Sequence, residues 1–319
     1  MIQAKIEGIE YHLASKKENL KNLKKNNPDW EVEKIFEKVG VRDRFISSDN
    51  ETSLSLGINA AKKFSRKKLN EVECCIFVTQ TPDFLLPNNA SIAQDKLNLS
   101  NEISAFDINM GCSGFVYALS VASSFIESNI HSKILIICAE TYTKYLNEND
   151  RSTQPIFSDG ASATILSKGK ASKIGPFLFG TDGSGYDKLI FKNSGSSKEF
   201  KNENKSIFMD GQSVLLFTMA KIPNLILELM ETNNYSIDDI DFFLFHQASN
   251  VVLDNIQRKL KIPSEKMPRN AFKFGNTTSS TIPILMKDLV SSKKLRRKMR
   301  IVCCGFGVGL SYGATIVNY

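Results

Sequence analysis

Short apolar runs bounded by turn residues recur along the chain and predict buried β-strands. The runs cover residues 73–79, 133–139, 161–167, 241–245 and 300–304. They are rich in β-branched residues, aromatic residues or cysteine, a composition typical of strands covered on both faces. Helical patterns lie between them, at residues 114–128, 214–232, 250–260 and 281–289. This alternation predicts an α/β fold whose central strands are mainly parallel.

The predicted elements fall into two similar series, in residues 1–168 and 169–319. Direct sequence repetition is not visible, and the order of the elements alone favours a duplicated α/β architecture. Residues 180–205 are rich in Gly, Ser, Asn and Lys and predict a long surface segment that opens the second half.

The composition is that of a soluble globular protein, with 319 residues, 42% of them hydrophobic and 24% charged. The N-terminal residues lack the apolar run of a signal peptide, and no window approaches roughly 18 uninterrupted apolar residues. We therefore expect a cytoplasmic protein that does not enter a membrane. Among the six cysteines are two adjacent pairs, Cys74-Cys75 and Cys303-Cys304, which predict buried thiols in place of disulfides.

The formal net charge of +7 predicts an acidic partner. Nucleic acid, a membrane surface, a phosphorylated cofactor and an acidic carrier protein all fit, and charge alone does not choose among them. The densest basic run, residues 293–300, lies between a predicted helix and a predicted strand and is interpreted as a solvated loop.

Cys112 is a candidate nucleophile. It lies in the sequence Gly111-Cys112-Ser113-Gly114, between a predicted strand and a predicted helix. The free N–H groups and the positive end of the dipole at a helix N-terminus favour thiolate over thiol, so we expect a reactive sulfur. Read alone, a cysteine between glycines also fits a small residue chosen for tight packing.

Three further positions could carry chemistry. His246 follows a buried strand, where α/β proteins keep working residues, although it could simply cap the next helix. Asn276 follows Gly275 in a turn, where an asparagine often bonds only its own backbone. Residues 305–313 are glycine-rich and could aim a backbone N–H at an oxyanion. They do not match a nucleotide-binding signature, because no helix follows.

Together, these segments resemble the β-ketoacyl-acyl carrier protein synthase III family of the thiolase superfamily. The resemblance includes residues 40–46, 81–84, 111–114, 150–153, 157–161, 246–249 and 275–278 and the terminal glycine-rich strand pair. It implies a thiolate-dependent condensing enzyme with a thiolase-like, duplicated five-layer αβαβα sandwich, normally a homodimer. The N-terminal half would carry Cys112, and the C-terminal half His246 and Asn276.

The family's mechanism implies that Cys112 takes an acyl group from an acyl-coenzyme A primer. Malonyl-acyl carrier protein would then lose CO₂, and its carbanion would attack the acyl-enzyme. His246 and Asn276 would hold the thioester carbonyl as neutral donors, and the backbone N–H groups of Cys112 and Val308 would hold the oxyanion. The coenzyme A thioester and the carrier's phosphopantetheine enter as substrates, with no permanent cofactor and no metal.

The resemblance also implies contacts with the two carriers. Arg151 matches an arginine that packs on the adenine of coenzyme A. Trp30 lies farther before Gly40 than the family spacing predicts, so the aromatic partner of Arg151 is not identified. Arg258 and Lys259 match basic positions on the helix where acyl carrier protein docks.

Two further positions concern selectivity. Val251 stands where arginine is common in the family. Leu86 matches a position, just before Pro87, where a side chain of one subunit closes the acyl pocket of the other. Leucine leaves more room there than an aromatic residue, so we expect acyl groups longer than acetyl to be accepted.

Several alternatives remain at this stage. Relatives that need a glutamate base at the acyl site are disfavoured, because residues 79–87 contain none. A specialised family member that condenses or transfers acyl groups for a secondary metabolite or a surface glycan is the runner-up, favoured by Val251, Ser158, Ser162 and Ser249. The alternative from a different class is a non-catalytic basic scaffold. Nothing resembles a nucleic-acid-binding motif, and the primer and the pathway are not determined.

Overall fold

The structure, a computed structural model, describes residues 2–169 and 173–319. These residues form thirteen β-strands and ten α-helices. The strands are β1 (Gln3–Leu13), β2 (Lys16–Asn19), β3 (Asp43–Ile46), β4 (Cys74–Val78), β5 (Ser104–Ile108), β6 (Lys133–Glu140), β7 (Gly160–Gly169), β8 (Ile174–Thr181), β9 (Leu189–Phe191), β10 (Ile207–Met209), β11 (Phe242–Phe245), β12 (Arg300–Gly307) and β13 (Ser311–Asn318). The helices are α1 (Leu20–Asn26), α2 (Val32–Val39), α3 (Ser53–Ala61), α4 (Arg66–Asn70), α5 (Asn89–Lys96), α6 (Gly114–Glu127), α7 (Gly211–Glu231), α8 (Asn250–Leu260), α9 (Ala271–Phe274) and α10 (Thr281–Ser291).

Five strands form the first sheet, in the order β1-β7-β6-β4-β5. Strands β6, β4 and β5 are parallel, and β7 and β1 are added in antiparallel pairing. In the register between β4 and β6, Val78 lies opposite Cys138. The segments that follow these two strands therefore emerge side by side at one edge of the sheet.

The second sheet repeats part of this order. Its strands run β11-β12-β13-β8, with β11 parallel to β12 and with β13 antiparallel to both neighbours. The same succession of pairings occurs at β4-β6-β7-β1, and in each half the antiparallel edge strand comes first in the sequence. Strand β7 ends at Gly169, so a division after residue 168 falls at the end of that strand. The exact division stays a prediction.

The side chains of the strands alternate between two faces, and each face has its own helical cover. Between the sheets lie α6 and α10, which pack on Ile76 of β4 and Ile301 of β12. The outer face of the first sheet, with Phe77, is covered by α3 and α5. The outer face of the second, with Val302, is covered by α7 and α8. The layers therefore run αβαβα, which confirms the predicted fold class.

Two details follow from this layering. All six cysteines are buried and free, as predicted, because neighbours such as Cys74 and Cys75 point to opposite faces of one strand. Helix α7 is long and apolar enough, by length and composition alone, to cross a membrane. Its residues Ile222, Ile226 and Leu229 pack in the core of the second sheet, and core helices pass the same test.

Candidate active site

Cys112 lies at the start of α6 and against the second sheet. Its side chain is 5% exposed. A Cβ atom on Gly305 would lie 2.6 Å from the carbonyl oxygen of Cys112, and one on Gly307 would lie 3.0 Å from its sulfur. Strand β12 can therefore approach the candidate nucleophile only because these two positions are glycine. The sulfur is enclosed by both halves of the chain.

The electrostatic surroundings of Cys112 differ from the expectation. The pKa of the Cys112 thiol is raised to about 12, mainly by burial and to a smaller extent by the charge of Glu140. The backbone N–H groups of Cys112 and Val308 oppose this by bonding the sulfur. The prediction that the helix N-terminus makes Cys112 a ready thiolate is therefore wrong for the unliganded chain, because desolvation outweighs the favourable dipole. Both N–H groups expected at an oxyanion site do lie at the sulfur.

His246 follows β11, and its backbone N–H donates to the carbonyl of Cys304 at 2.8 Å. Burial lowers the pKa of the ring to about 3, so the imidazole is neutral in the physiological range. Nδ1 lies 2.7 Å from the hydroxyl oxygen of Thr281, which lies 2.9 Å from the carbonyl oxygen of Thr278. If the hydroxyl donates to that carbonyl, Nδ1 carries the ring proton. If it donates to Nδ1, Nε2 carries the proton.

Asn276 is held from both sides of its peptide. Its N–H donates to Ile156, and its carbonyl accepts from Ser158 at 2.9 Å. Its Oδ1 accepts the backbone N–H of Thr278 at 2.9 Å, which orients Nδ2 toward Nε2 of His246 at 3.4 Å. Two nitrogen atoms at this separation can both donate to one oxygen placed between them.

One cavity of about 300 Å³ joins the three predicted residues. Cys112, His246 and Asn276 all line it, together with Phe306 and Gly307 of β12. Residues of α2, α7 and the start of α8 also line the cavity. They are Lys38 and Val39 of α2, Gly211, Val214, Leu215 and Thr218 of α7, and Val251 and Val252 of α8. The cavity therefore brings a thiol and two neutral polar side chains together, and its part lined by α2, α7 and α8 is called the entry.

Arg151 and Trp30 lie together, although the sequence spacing did not predict it. The Arg151 guanidinium carbon is 5.8 Å from the centre of the Trp30 ring. Trp30 is only 5% exposed and packs on Leu23 and Val32, whereas Arg151 is exposed. A planar ligand could therefore reach the indole face only if Arg151 moved away from it.

The remaining predicted residues do not line this cavity. Arg258 and Lys259 are exposed in the last turn of α8. They lie about 11 Å along the helix from Val251, at a rise of about 1.5 Å per residue. Leu86 is 83% exposed on a loop with Phe84 and Leu85, so in its own chain it closes no pocket.

Sequence reasoning missed a group of side chains behind Cys112. Glu140, the last residue of β6, is fully buried, and it accepts from the backbone N–H of Gln80 at 2.9 Å and the hydroxyl of Thr81 at 2.6 Å. The hydroxyl of Tyr142 donates to Oε1 of Gln80 at 2.6 Å. The available signal was an acidic residue at the end of an apolar run, which normally marks a strand end near a site.

Comparison with known proteins adds independent information. A family model described as 3-Oxoacyl-[acyl-carrier-protein (ACP)] synthase III matches residues 106–183, and the model of its C terminal matches residues 230–319. A beta-ketoacyl-[acyl-carrier-protein] synthase III from Clostridium novyi is 34% identical over 310 residues, which are 95% of this chain and 94% of that protein.

Solved structures agree with this. A 3-oxoacyl-(acyl-carrier-protein) synthase III superposes with a TM-score of 0.94 at 36% identity, covering 99% of this chain and 100% of that one. The priming beta-ketosynthase of the R1128 polyketide pathway superposes with a TM-score of 0.90 at 26% identity, covering 98% of this chain and 96% of that one.

Proposed function

The chain belongs to the 3-oxoacyl-[acyl-carrier-protein] synthase III family of acyl-transferring condensing enzymes, and we propose that it joins an acyl-coenzyme A primer to malonyl-acyl carrier protein through an acyl group held on Cys112. The observation that carries this proposal is the single cavity lined by Cys112, His246 and Asn276. A thiol and two neutral hydrogen-bonding groups are the components that acyl transfer followed by decarboxylation requires.

In the first step, the Cys112 sulfur attacks the acyl carbon of the primer. The carbon–sulfur bond to coenzyme A breaks, and the proton of Cys112 ends on the departing thiol. Because burial keeps the resting thiol protonated, the N–H groups of Cys112 and Val308 have to stabilise charge as it forms. They would bind first the developing thiolate and then the oxyanion of the tetrahedral intermediate.

In the second step, malonyl-acyl carrier protein loses CO₂, and its enolate carbon attacks the acyl carbon on Cys112. The new carbon–carbon bond replaces the bond to sulfur, which regains a proton, and 3-oxoacyl-acyl carrier protein leaves. Nδ2 of Asn276 and Nε2 of His246, 3.4 Å apart, would both donate to the enolate oxygen. This role requires a proton on Nε2. The Thr281 hydroxyl selects that tautomer when it donates its hydrogen bond to Nδ1.

Arg151 and Trp30 are proposed to bind the adenine of coenzyme A. The aromatic partner that the sequence left open would be Trp30, with Arg151 moving from the indole face so that the adenine enters between them. Arg258 and Lys259 are proposed to dock the acidic carrier protein. Their exposure at the end of α8, whose first turn lines the entry, supports this.

The working form is proposed to be a homodimer. It is proposed to act in the cytoplasm, without binding a membrane or nucleic acid. Strand β5 lies at an open edge of the first sheet, with its residues only partly covered. A nearby loop exposes three apolar residues: Phe84 is 58% exposed, Leu85 90% and Leu86 83%. A second copy would cover both features, and Leu86 could then close the acyl pocket of that copy.

A specialised pathway is the second candidate, supported by the similarity to the priming beta-ketosynthase. Of the four departures that favoured it, three have local explanations. Ser158 accepts the backbone N–H of Phe45, Ser162 lies near Ser280, and Ser249 caps α8. Ser249 and Val251 both line the cavity, and of these two only Val251 has no local explanation.

The proposed function is tested by separating its two steps. His246→Ala and Asn276→Ala should still allow acylation of Cys112, read by intact mass, but should lose release of labelled CO₂ from malonyl-acyl carrier protein. Normal CO₂ release in both variants would remove these residues from the decarboxylation step. Cys112→Gln is the control, since it leaves His246 and Asn276 in place and can release CO₂ without condensation.

A further inference from the structure

A second cavity lies beside the segment that precedes Cys112, where Asn109 contributes to its wall. It has a volume of about 560 Å³, and its walls include Gln80, Tyr142 and Val308. Leu189 lines both cavities, whereas Cys112 lines only the entry cavity. Val308, whose backbone N–H bonds the Cys112 sulfur, also lines the second cavity, so this cavity comes close to the nucleophile.

Tyr142 is fixed in this wall by two contacts. It is 5% exposed, and its ring packs on Phe157, with ring centres 5.1 Å apart. Its hydroxyl donates to Oε1 of Gln80 at 2.6 Å. Burial raises the pKa of the phenol most, and the charges of Glu140 and of the Cys112 sulfur raise it further, so the hydroxyl lies near both groups.

The packing beside the nucleophile is tight. A Cβ atom on Gly111, the residue before Cys112, would lie 2.5 Å from Oε1 of Gln80 and 2.5 Å from a methyl carbon of Val308. No methyl group fits there. Gln80 and Val308 therefore pack directly against the residue that precedes the nucleophile.

The backbone under this wall is rigidly supported. Strands β4 and β6 are parallel neighbours, and the Glu140 carboxylate at the end of β6 accepts the backbone N–H of Gln80. The Thr81 hydroxyl bonds both the carboxylate and the backbone N–H of Thr141. The wall can therefore open only by movement of the Gln80 and Tyr142 side chains, because the backbone that carries them is held in place.

We propose that Gln80 and Tyr142 form a hydrogen-bonded latch between Cys112 and the second cavity, and that this latch limits the acyl groups that Cys112 accepts to short chains. The proposal rests on the proposed function and concerns the same site. A longer chain would have to separate the two polar groups and place methylenes against them, which leaves a donor and an acceptor unpaired. The limit is then set within one chain, in addition to any wall from Leu86 of a second copy.

The test is competitive labelling of Cys112 by an equimolar mixture of acetyl-, butyryl-, hexanoyl- and octanoyl-coenzyme A, read by intact mass. Tyr142→Phe keeps the ring and removes the hydroxyl that donates to Gln80. Gln80→Met removes the accepting oxygen and keeps a side chain of similar length. Both should raise the ratio of octanoyl to acetyl labelling about tenfold, the factor that corresponds to 1.4 kcal/mol. Tyr145→Phe, in the same turn but outside both cavities, is the matched control and should leave the ratio unchanged.

The possible outcomes separate the two proposals. An unchanged ratio in Tyr142→Phe and Gln80→Met, with acetyl labelling intact, would overturn the latch and leave the proposed function standing. A change in Tyr142→Leu alone would assign the limit to the volume of the ring and would also overturn the latch. Absence of labelling by every donor in the wild-type protein would remove the proposed function and the latch together.

Discussion

Replacement of Glu140 by glutamine should stabilise the protein, and the gain should grow with pH. The Glu140 side chain is fully buried between β6 and the segment after β4. Burial raises the pKa of this carboxyl from 4.5 to about 8, against the hydrogen bonds from Thr81 and Gln80, which favour the anion. The amide of glutamine keeps the shape and can still accept the N–H of Gln80, but it carries no charge at any pH.

The sign and the size follow from the two protonation states. Between pH 4.5 and about 8 the folded protein holds a proton on Glu140 that the unfolded chain has lost, so the stability of the wild type falls as the pH rises. Each pH unit costs about 1.4 kcal/mol, for a total of roughly 5 kcal/mol. Below pH 4.5 both states are protonated, and this contribution disappears.

The measurement is urea unfolding of the wild type and Glu140→Gln from pH 4.5 to 8.5, at one protein concentration. The difference in unfolding free energy should be small at pH 4.5 and should reach several kcal/mol at pH 8. Glu228→Gln, on the exposed face of α7, controls for loss of one negative charge. Other buried acids, such as Asp159, are present in both proteins and cancel. A difference that stays constant across this range would refute the reasoning.

The other predictions concern the proposed chemistry. Cys112→Ser should abolish acyl-enzyme formation, checked by intact mass, since a hydroxyl at neutral pH is a far weaker nucleophile. Iodoacetamide should label Cys112 before the other five thiols, because those are even more deeply buried; uniform labelling in peptide mapping would contradict this. Arg151→Ala should weaken coenzyme A binding by about 1 kcal/mol, measured by titration. The Arg258→Glu/Lys259→Glu variant should weaken carrier-protein binding by a similar amount per contact, with a loss that shrinks as salt increases. Leu86→Phe should shorten the preferred acyl donor while acetyl transfer persists; each excluded methylene corresponds to about 0.8 kcal/mol, and an unchanged length profile would place the wall elsewhere.

The parts of the fold that the sequence predicted well are those with a strong local pattern. The apolar run at residues 133–139 became β6, and the helical pattern at 250–260 became α8 with the same bounds. Strand β1 is not among the predicted runs, because its side chains alternate in burial and its length is set by pairing with β7. That pairing joins opposite ends of the first half and leaves no local signal.

The candidate site divides in the same way. Cys112, His246 and Asn276 each follow a strand or a sharp turn, so their positions could be predicted locally. Gln80 and Tyr142 meet only because β4 and β6 are adjacent and parallel, which no short segment encodes. The lowered pKa predicted for Cys112 failed for a related reason, since desolvation depends on the distant strand β12.

The contact between Cys112 and the glycines of β12 has a consequence for how the protein is made. Those glycines lie far after Cys112 in the sequence, and contacts between remote parts of a chain tend to form late in folding. A nascent first half would carry Cys112 as an ordinary accessible thiol, whereas Cys75 is covered by α3 and α5 of its own half. The refolding time at which Cys112 becomes protected from a brief pulse of thiol reagent would therefore show when the two halves dock. The enclosed sulfur of Cys112 exists only after β12 has packed against the first half.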